Sequence, residues 1–324
     1  MTAQPKVSIC IPTYNHGQYL RLAVESALAQ DYDNLEVVIS DNFSTDETPD
    51  YLATLADKRV RVVRPKRHLT MDENWRFCIS HNQGDYINVL SSDDLLLPSY
   101  ARKLSAVLHS YPSAVFAYCA VQLINENGKM LGEERHIGGS FFRKGSDELN
   151  RFIRGAGCVF STMMIRRDCY ERVGGFATWR IVGDWDLELR LLQVGDVAYH
   201  DEVLVQYRTW TTPERDSRFI LQIQDIAQLY ETTVAGIANS HPDLRAAIKK
   251  ARRACALGYT LGIGKLAGKP EFEEAARQVR RIHDSVWVRL VLQLHRCGFS
   301  GAISAYLKAK WWLRQKVKAL LYVT

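Results

Sequence analysis

The 324-residue sequence has no apolar run that approaches membrane-spanning length. Its longest run, Ala114–Val121, has eight residues, whereas a transmembrane helix needs about 20. Its seven cysteines include no Cys-x-x-Cys pair, so neither a zinc site nor a disulfide framework is predicted, and a reducing cytoplasm is the expected location. The apolar share of 47% and the charged share of 24% exclude an intrinsically disordered chain.

The end of the chain has no acidic residues: the last one is Asp284. Residues 1–240 contain 25 Lys and Arg against 31 Asp and Glu, whereas residues 241–324 contain 17 against 5. Since the sign of the local charge selects partners, the two parts are expected to meet different ones. No RNA- or DNA-binding motif accompanies the basic charge, so nucleic acid is not expected as a partner.

Short β-like runs alternate with helical patterns over the first 120 residues. The strand candidates are Val7–Ile11, Leu35–Ile39, Val60–Val63, Tyr86–Leu90 and Ala114–Cys119. This alternation predicts an α/β fold, Rossmann-like, with a mostly parallel sheet and helices on both faces. Residues 125–160 are rich in glycine and are predicted to form loops and a short β excursion. We expect the α/β domain over residues 1–214 and an all-helical basic region over residues 215–324.

Polar residues follow the second strand candidate. In an open α/β sheet, ligands bind beyond the carboxyl ends of the strands, and Asp41 and Asn42 come directly after that strand. Their carboxylate and amide groups can hydrogen-bond a base or a sugar. The alternative is a turn in which Ser44 or Thr45 caps the next helix.

Two adjacent acids, Asp93 and Asp94, follow the fourth strand candidate. Side-by-side carboxylates are costly unless something neutralises them, and a divalent cation bound to phosphate does so. The alternative is a solvated loop before a helix that opens near Pro98, where the helix dipole favours acids.

A third acidic group contains Asp184, Asp186 and Glu188. Asp184 is predicted at the start of a helix, whose N-terminus favours the ionised carboxylate that a general base requires. N-capping is the alternative. Asp186 and Glu188 are expected to serve helix charge and arginine pairing.

These groups, in this order, resemble the family 2 glycosyltransferases with the GT-A fold, of the kind that assembles bacterial cell-surface polysaccharide. The resemblance covers residues 5–212. The segments that carry it are Val7–Asn15, Gln30–Tyr32, Leu35–Asp41, Asn74–Trp75, Gly84–Ile87, the Asp93–Asp94 pair in place of an Asp-x-Asp motif, Gly174–Phe176 and Gly183–Leu187.

The resemblance implies an inverting transfer from a nucleoside-diphosphate sugar, with UDP and dTDP donors both open, to a glycan or lipid-linked glycan. Asp94 would bind Mn²⁺ or Mg²⁺, and Asp184 would be the catalytic base. The nucleotide-sugar would contact Pro12, Thr13, Tyr14, Asn15, Asp41, Asn42, Asn74 and Asp93.

Two positions depart from the family pattern. Many relatives have an acid where this chain has Asn42, whose amide can still hydrogen-bond a base. Relatives also often carry a histidine soon after a Tyr-Arg pair, whereas Tyr207-Arg208 is followed here by Thr209 and Trp210. If that histidine is a metal ligand in relatives, this chain lacks it.

The segment 285–324 is basic and rich in tryptophan. Such helices often lie at anionic membrane surfaces, so peripheral contact with the inner face of the cell membrane is expected. Packing on the first domain and a dimer contact are the alternatives.

Two other functions compete with glycosyl transfer. A sugar-nucleotide nucleotidyltransferase would carry a glycine-rich phosphate loop after the first strand, and residues 12–17 are not one. A non-catalytic nucleotide-sugar or glycan-binding module would have no need of Asp94 and Asp184.

Overall fold

The computed structural model describes residues 4–210, 218–303 and 305. The chain divides into two compact units, residues 1–212 and residues 213–324. The boundary that the sequence predicts after residue 214 lies outside the described residues.

The first unit combines ten strands with seven α-helices among the described residues. The strands are β1 (Val7–Thr13), β2 (Leu35–Asp41), β3 (Val60–Val63), β4 (Tyr86–Val89), β5 (Leu95–Leu96), β6 (Ala114–Ile124), β7 (Met130–Glu134), β8 (Phe141–Arg143), β9 (Met164–Arg166) and β10 (Asp196–Arg208). The helices are α1 (Gly17–Leu28), α2 (Thr48–Ala53), α3 (Met71–Ser80), α4 (Tyr100–Ser110), α5 (Gly145–Phe152), α6 (Arg167–Arg172) and α7 (Gly183–Leu191), with a 3₁₀ turn at Phe160–Thr162.

All ten strands form one sheet of order β3-β2-β1-β4-β9-β6-β10-β5, with β7 paired to β6 and β8 to β10. The strands β3, β2, β1 and β4 are parallel, and so are β6 and β10. The remaining pairs are antiparallel. The predicted α/β fold is confirmed, but the sheet is mixed rather than mostly parallel. One reason is the short connection from β6 to β7, because only antiparallel strands can be joined so closely.

The core lies on both faces of the parallel half of the sheet. Strands β1 and β2 are buried at every position, as expected of continuous apolar runs covered by helices on two sides. Buried side chains of α1 and α4, such as Val24 and Leu104, pack in the same core. The strands that lead to the carboxyl edge of the sheet are therefore covered by packed side chains.

Helix α5 was not predicted, because its segment was expected to form loops. Its apolar residues Leu149 and Phe152 are fully buried. Its buried carboxylate, Glu148, pairs with Arg143 at 2.7 Å and with Arg151 at 2.9 Å. The helix is thus stabilised by tertiary contacts that a glycine-rich local sequence does not reveal.

The described part of the second unit is helical, as predicted. Its helices are α8 (Phe219–Glu231), α9 (Thr233–Ser240), α10 (Arg245–Gly262), α11 (Glu271–Ile282) and α12 (Val286–Arg296), with 3₁₀ turns at Pro242–Leu244 and Ile263–Leu266. Helix α11 packs against α8 and α10 and buries Phe272, Val279 and Ile282. Within the described ranges, no helix has both the length and the apolar character needed to cross a membrane.

Candidate functional site

The ends of three neighbouring parallel strands meet at one edge of the sheet. Strand β1 lies between β2 and β4, so the turns that follow them are adjacent. The backbone N–H of Asn42 donates to the Thr13 carbonyl at 3.0 Å. His16 Nδ1 lies 3.0 Å from Ser92 Oγ. These contacts join the turns after β1, β2 and β4 into one surface.

The end of β1 and the turn that follows it contain both exposed and buried residues. Pro12 and Thr13 are buried, whereas 46% of Tyr14 is exposed and its ring lies edge-on to His68 at 4.7 Å. Asn15 has a φ of 51°, and its Oδ1 accepts the Thr45 amide at 2.8 Å. Thr13 Oγ1 is buried without a hydrogen-bond partner among the described residues. An unpartnered buried hydroxyl is costly, so a polar ligand group would stabilise it.

The turn after β2 is held in an unusual backbone conformation. Phe43 has a φ of 63°, which is costly for a bulky residue and is typical of functional sites. Its ring lies 4.7 Å from the Arg64 guanidinium, which pairs with Asp41 at 3.3 Å. Asp41 Oδ1 also accepts the Ser44 amide at 3.0 Å. Asp41 therefore stabilises the turn through its contacts with the Ser44 backbone N–H and with Arg64.

Asn42 and Asn74 are buried rather than presented to a ligand. Only 3% of Asn42 and 4% of Asn74 are exposed. Both ends of the Asn42 amide bond the backbone of Leu69, at 2.8 and 2.9 Å. Asn74 Oδ1 accepts Ser40 Oγ at 2.6 Å. In the structure these two side-chain amides join neighbouring segments of the chain, and their contacts with the nucleotide-sugar stay predictions.

The two acids after β4 have opposite environments. Asp94 is fully buried; its Oδ1 accepts the Arg208 amide at 2.9 Å, and its Oδ2 accepts Ser161 Oγ at 2.6 Å. Burial, with a smaller contribution from the neighbouring Asp93 charge, raises the pKa of Asp94 to about 7. A metal would reach this carboxylate only if these hydrogen bonds were broken, and the metal-ligand role of Asp94 stays a prediction.

Asp93 is partly exposed and faces an aromatic group. Its Oδ2 accepts the Trp210 indole N–H at 2.7 Å, whereas its Oδ1 accepts no hydrogen bond from the part of the chain that the structure describes. Trp210 packs edge-on to Tyr19 at 5.1 Å, and Arg208 donates to the Asp93 carbonyl at 2.9 Å. Trp210, which follows Tyr207-Arg208 where the family resemblance led us to expect a histidine, thus lies beside Asp93.

The contrast between the two acids gives a stability prediction. Asp94→Ala leaves the Arg208 amide and the Ser161 hydroxyl without their acceptor, so we expect the free energy of unfolding to fall by about 1–3 kcal/mol. Urea unfolding followed by circular dichroism measures this change. The control is Asp33→Ala, at an exposed position, which should leave stability within about 0.5 kcal/mol of wild type. Equal stability of the two variants would contradict the structural role of Asp94.

Asp184 lies in the first turn of α7 and is partly exposed. Its Oδ1 accepts the Trp185 amide at 2.8 Å. Burial raises the pKa of Asp184 above its usual 3.8 and outweighs the hydrogen bonds that lower it. Burial therefore opposes the stabilisation of the ionised form that was expected from the helix N-terminus. A raised pKa makes the carboxylate a stronger base.

The two acids that follow Asp184 differ in their contacts. Asp186 pairs with Arg190 at 2.8 Å, as predicted. Glu188 is fully buried, and it accepts the amides of Gly157 at 2.8 Å and Cys158 at 3.3 Å, so its predicted arginine pairing is wrong. Burial, and then the Asp184 charge, raises the pKa of Glu188 to about 8.

The segment 157–162 links the two acidic regions. Glu188 holds its beginning, and Ser161 donates to Asp94. Phe160 stacks on Trp75 at 5.4 Å and meets Phe176 at 5.3 Å. A Cβ on Gly183 would lie 2.7 Å from the Phe176 ring. Glycine at this position therefore allows the first residue of α7 to pack directly against Phe176. Sequence reasoning missed Ser161 entirely, and it noted Trp210 only as a departure from the family.

The described residues contain no group of three or more His, Cys, Asp and Glu side chains arranged to hold a metal. Mg²⁺ and Mn²⁺ bound to substrate phosphates commonly use only one or two protein carboxylates. Asp93, partly exposed and with its Oδ1 open, fits that pattern. A divalent cation is therefore compatible with the residues present at this edge.

Comparisons with known proteins show the family of this chain. The profile of Glycosyl transferase family 2 matches residues 8–174. An uncharacterized glycosyltransferase of Rickettsia typhi is 28% identical over 213 residues, which span 64% of this chain and 65% of that protein. The putative glycosyltransferase EpsE of Bacillus subtilis is 27% identical over 239 residues, which span 71% of this chain and 83% of that protein.

A similar fold occurs in TarS of S. aureus. Its structure over residues 1–349 in complex with UDP has a TM-score of 0.56 and 16% identity, and covers 90% of this chain and 92% of that chain. The same part of TarS in complex with UDP-GlcNAc has a TM-score of 0.56 and 14% identity. At such identity the likeness concerns the fold, which is of the GT-A type. With a profile match over more than half of its length, the chain belongs to glycosyl transferase family 2.

Proposed function

We propose that this chain transfers a sugar from a nucleoside-diphosphate sugar to a hydroxyl of a glycan or lipid-linked glycan, with inversion at the anomeric carbon. The observation that carries the proposal is the placement of Asp184, a partly buried carboxylate with a raised pKa at the start of α7, in a family 2 fold. The role in cell-surface polysaccharide assembly is part of the proposal.

In the proposed mechanism Asp184 accepts the proton of the acceptor hydroxyl. The acceptor oxygen then forms a bond to the anomeric carbon while the bond from that carbon to the diphosphate oxygen breaks on the opposite face. Correct placement of the base contributes about 10²–10⁴-fold to the rate. The nucleoside diphosphate leaves with both electrons of the broken bond.

The donor is proposed to lie across the turns after β1, β2 and β4. Tyr14 and Asn15 offer exposed contacts to the nucleotide, and Thr13 Oγ1 offers a buried hydroxyl without a partner among the described residues. Asp93 takes the role first assigned to Asp94 and would hold Mn²⁺ or Mg²⁺. The cation would supply positive charge for the departing diphosphate. UDP is the first donor nucleotide to test, because the TarS structures contain UDP and UDP-GlcNAc; dTDP is the second.

A thermal-shift screen tests the donor proposal. Wild-type protein is heated with UDP, dTDP, GDP and their sugars, with Mn²⁺ and with EDTA. We expect a uridine or deoxythymidine compound to raise the melting temperature when Mn²⁺ is present, because a ligand at 100 times its Kd adds about 2.7 kcal/mol of stability. If no nucleotide or nucleotide sugar raises the melting temperature, the proposed donor class is wrong.

Contact with an anionic membrane is a second part of the proposal. Helix α12 leaves Val286 79%, Trp287 58% and Leu290 46% exposed, in the basic region that begins at residue 285. Residues 304 and 306–324 of that region lie outside the described residues. Apolar and aromatic side chains among cations suit the interface of an anionic bilayer.

Vesicle sedimentation tests this contact. We expect serine at Val286, Trp287 and Leu290 to lower binding to phosphatidylserine vesicles, because the apolar area inserted into the interface is lost. The control places serine at Met130 and Leu131, which are 52% and 57% exposed in the first unit. Equal binding of wild type and both variants would contradict a role for α12.

A further inference from the structure

A cleft in the second unit is lined by cations on two helices. Its volume is about 430 Å³, which lies in the range of small-molecule sites. Arg245, Lys249 and Arg252 line it from α10, and Arg280 and Arg281 line it from the last turn of α11. We call these five residues and the space between them the basic cleft.

The α10 residues of the basic cleft follow helical spacing, so their side chains share one face. None of the three forms an ion pair within the described ranges. Arg245 Nε donates to the Ala238 carbonyl at 3.0 Å, and Arg252 donates to the carbonyls of Ile282 at 2.7 Å and Arg281 at 3.1 Å. Carbonyls accept hydrogen bonds but do not cancel a full positive charge.

Both α11 arginines of the cleft have acidic partners, and one of these partners, Asp284, also lines the cleft. Arg280 pairs with Asp284 at 3.1 Å, and Arg281 pairs with Glu231 at 2.5 Å. Asp284 also pairs with Arg289 at 2.6 Å. The cleft cations without an acidic partner among the described residues are therefore Arg245, Lys249 and Arg252.

The local field and the cleft floor agree with an anionic ligand. Burial lowers the pKa of His283 at the cleft, and the charges of Arg252, Arg253 and Lys249 lower it further. The floor includes Ile248 and Ile282, which are buried. A concave surface lined by both cations and apolar groups suits an anion attached to a less polar body.

We propose that the basic cleft binds a phosphate-bearing group, a phosphomonoester or a diphosphate, with its oxygens on Arg245, Lys249 and Arg252. Arginine suits phosphate because its planar N–H groups match two oxygens at once. The group belongs either to a soluble phosphate compound or to a lipid headgroup. This binding does not depend on the sugar-transfer reaction, so the two proposals fail independently.

The test compares two double variants of the full chain that remove the same charge. The cleft variant is Arg245→Ala with Lys249→Ala. The control is Lys250→Ala with Lys269→Ala, two exposed residues of the second unit that do not line the cleft. Lys249→Ala alone is the second variant, because Lys249 has no partner within the described ranges whose loss could disturb folding. Melting temperatures verify that all variants are folded.

The first probe is inorganic pyrophosphate, titrated calorimetrically in EDTA so that metal-dependent binding elsewhere is absent. We expect the Kd to rise roughly 10- to 100-fold in the cleft variant, since hydrogen bonds between charged groups are lost. The Lys249→Ala change should account for part of this rise. The control should bind within about twofold of wild type, because its residues lie outside the cleft.

The second probe is a vesicle of phosphatidylcholine with phosphatidic acid, compared with phosphatidylserine at equal surface charge. A loss of phosphatidic acid binding confined to the cleft variant identifies a lipid headgroup as the source. A loss confined to pyrophosphate identifies a soluble phosphate compound. If wild type binds neither probe, or if the cleft and control variants weaken alike, the proposal is overturned.

Discussion

Replacing Asp184 by asparagine is expected to lower the rate of sugar transfer by about 10²–10⁴-fold, the usual contribution of a general base. The asparagine oxygen can still accept the Trp185 amide, which Asp184 now holds at 2.8 Å. The turn should therefore keep its shape while the group that takes the proton is lost. Release of the nucleoside diphosphate in the presence of acceptor measures the rate, and calorimetry measures donor affinity.

The matched control for this change is Asp168→Asn, because Asp168 is an exposed acid near Arg172. It should keep the wild-type rate. A loss of donor affinity as large as the loss of rate would show that Asp184 serves binding rather than proton transfer.

The pH profile gives the same prediction another readout. A base must be deprotonated to act, so the rate falls as the pH drops through its pKa. Because burial raises the pKa of Asp184, the acid limb should lie above the usual 3.8, and the residual rate of Asp184→Asn should lack it. A wild-type limb at or below 3.8 would contradict the assignment.

The second large effect is expected at Asp93. Asp93→Asn should lower the metal-dependent rate roughly 100-fold or more, because a bound cation contributes several kcal/mol to charge stabilisation. It should also raise the Mn²⁺ concentration needed for half-maximal rate. Titrating Mn²⁺ in the transfer assay measures both quantities.

Asp94→Asn is the control for Asp93→Asn. An asparagine there can accept the Arg208 amide and donate to Ser161 Oγ, so the fold should persist. Its Mn²⁺ requirement should remain near that of wild type. A larger shift in Asp94→Asn than in Asp93→Asn would return the metal to the residue that the sequence first indicated.

The sheet edge was predictable because it follows from burial. Continuous apolar runs produced β1 and β2, which are buried throughout. Parallel pairing then brought Thr13 and Asp41 into register. The apolar content of these segments and their alternation with helical patterns were sufficient to predict the parallel strands, since both features can be read from the local sequence.

The difference in burial between Asp93 and Asp94 was not predictable in the same way. Adjacent residues in a turn face different directions, and the sequence does not say which one is covered. Here the covering groups are Ser161 and Arg208, which lie 67 and 114 residues further along the chain. Glu188 shows the same limit, because helical spacing suggested arginine pairing, whereas its partners Gly157 and Cys158 lie 31 and 30 residues earlier in a loop.

The most direct test of the account is the thermal shift produced by UDP and dTDP with Mn²⁺ in wild type, Asp93→Asn and Asp184→Asn. It requires no knowledge of the acceptor and separates the metal-binding carboxylate from the base. The account predicts that Asp93→Asn loses the Mn²⁺-dependent shift and that Asp184→Asn retains it. A full shift in Asp93→Asn, or its loss in Asp184→Asn, would contradict the account.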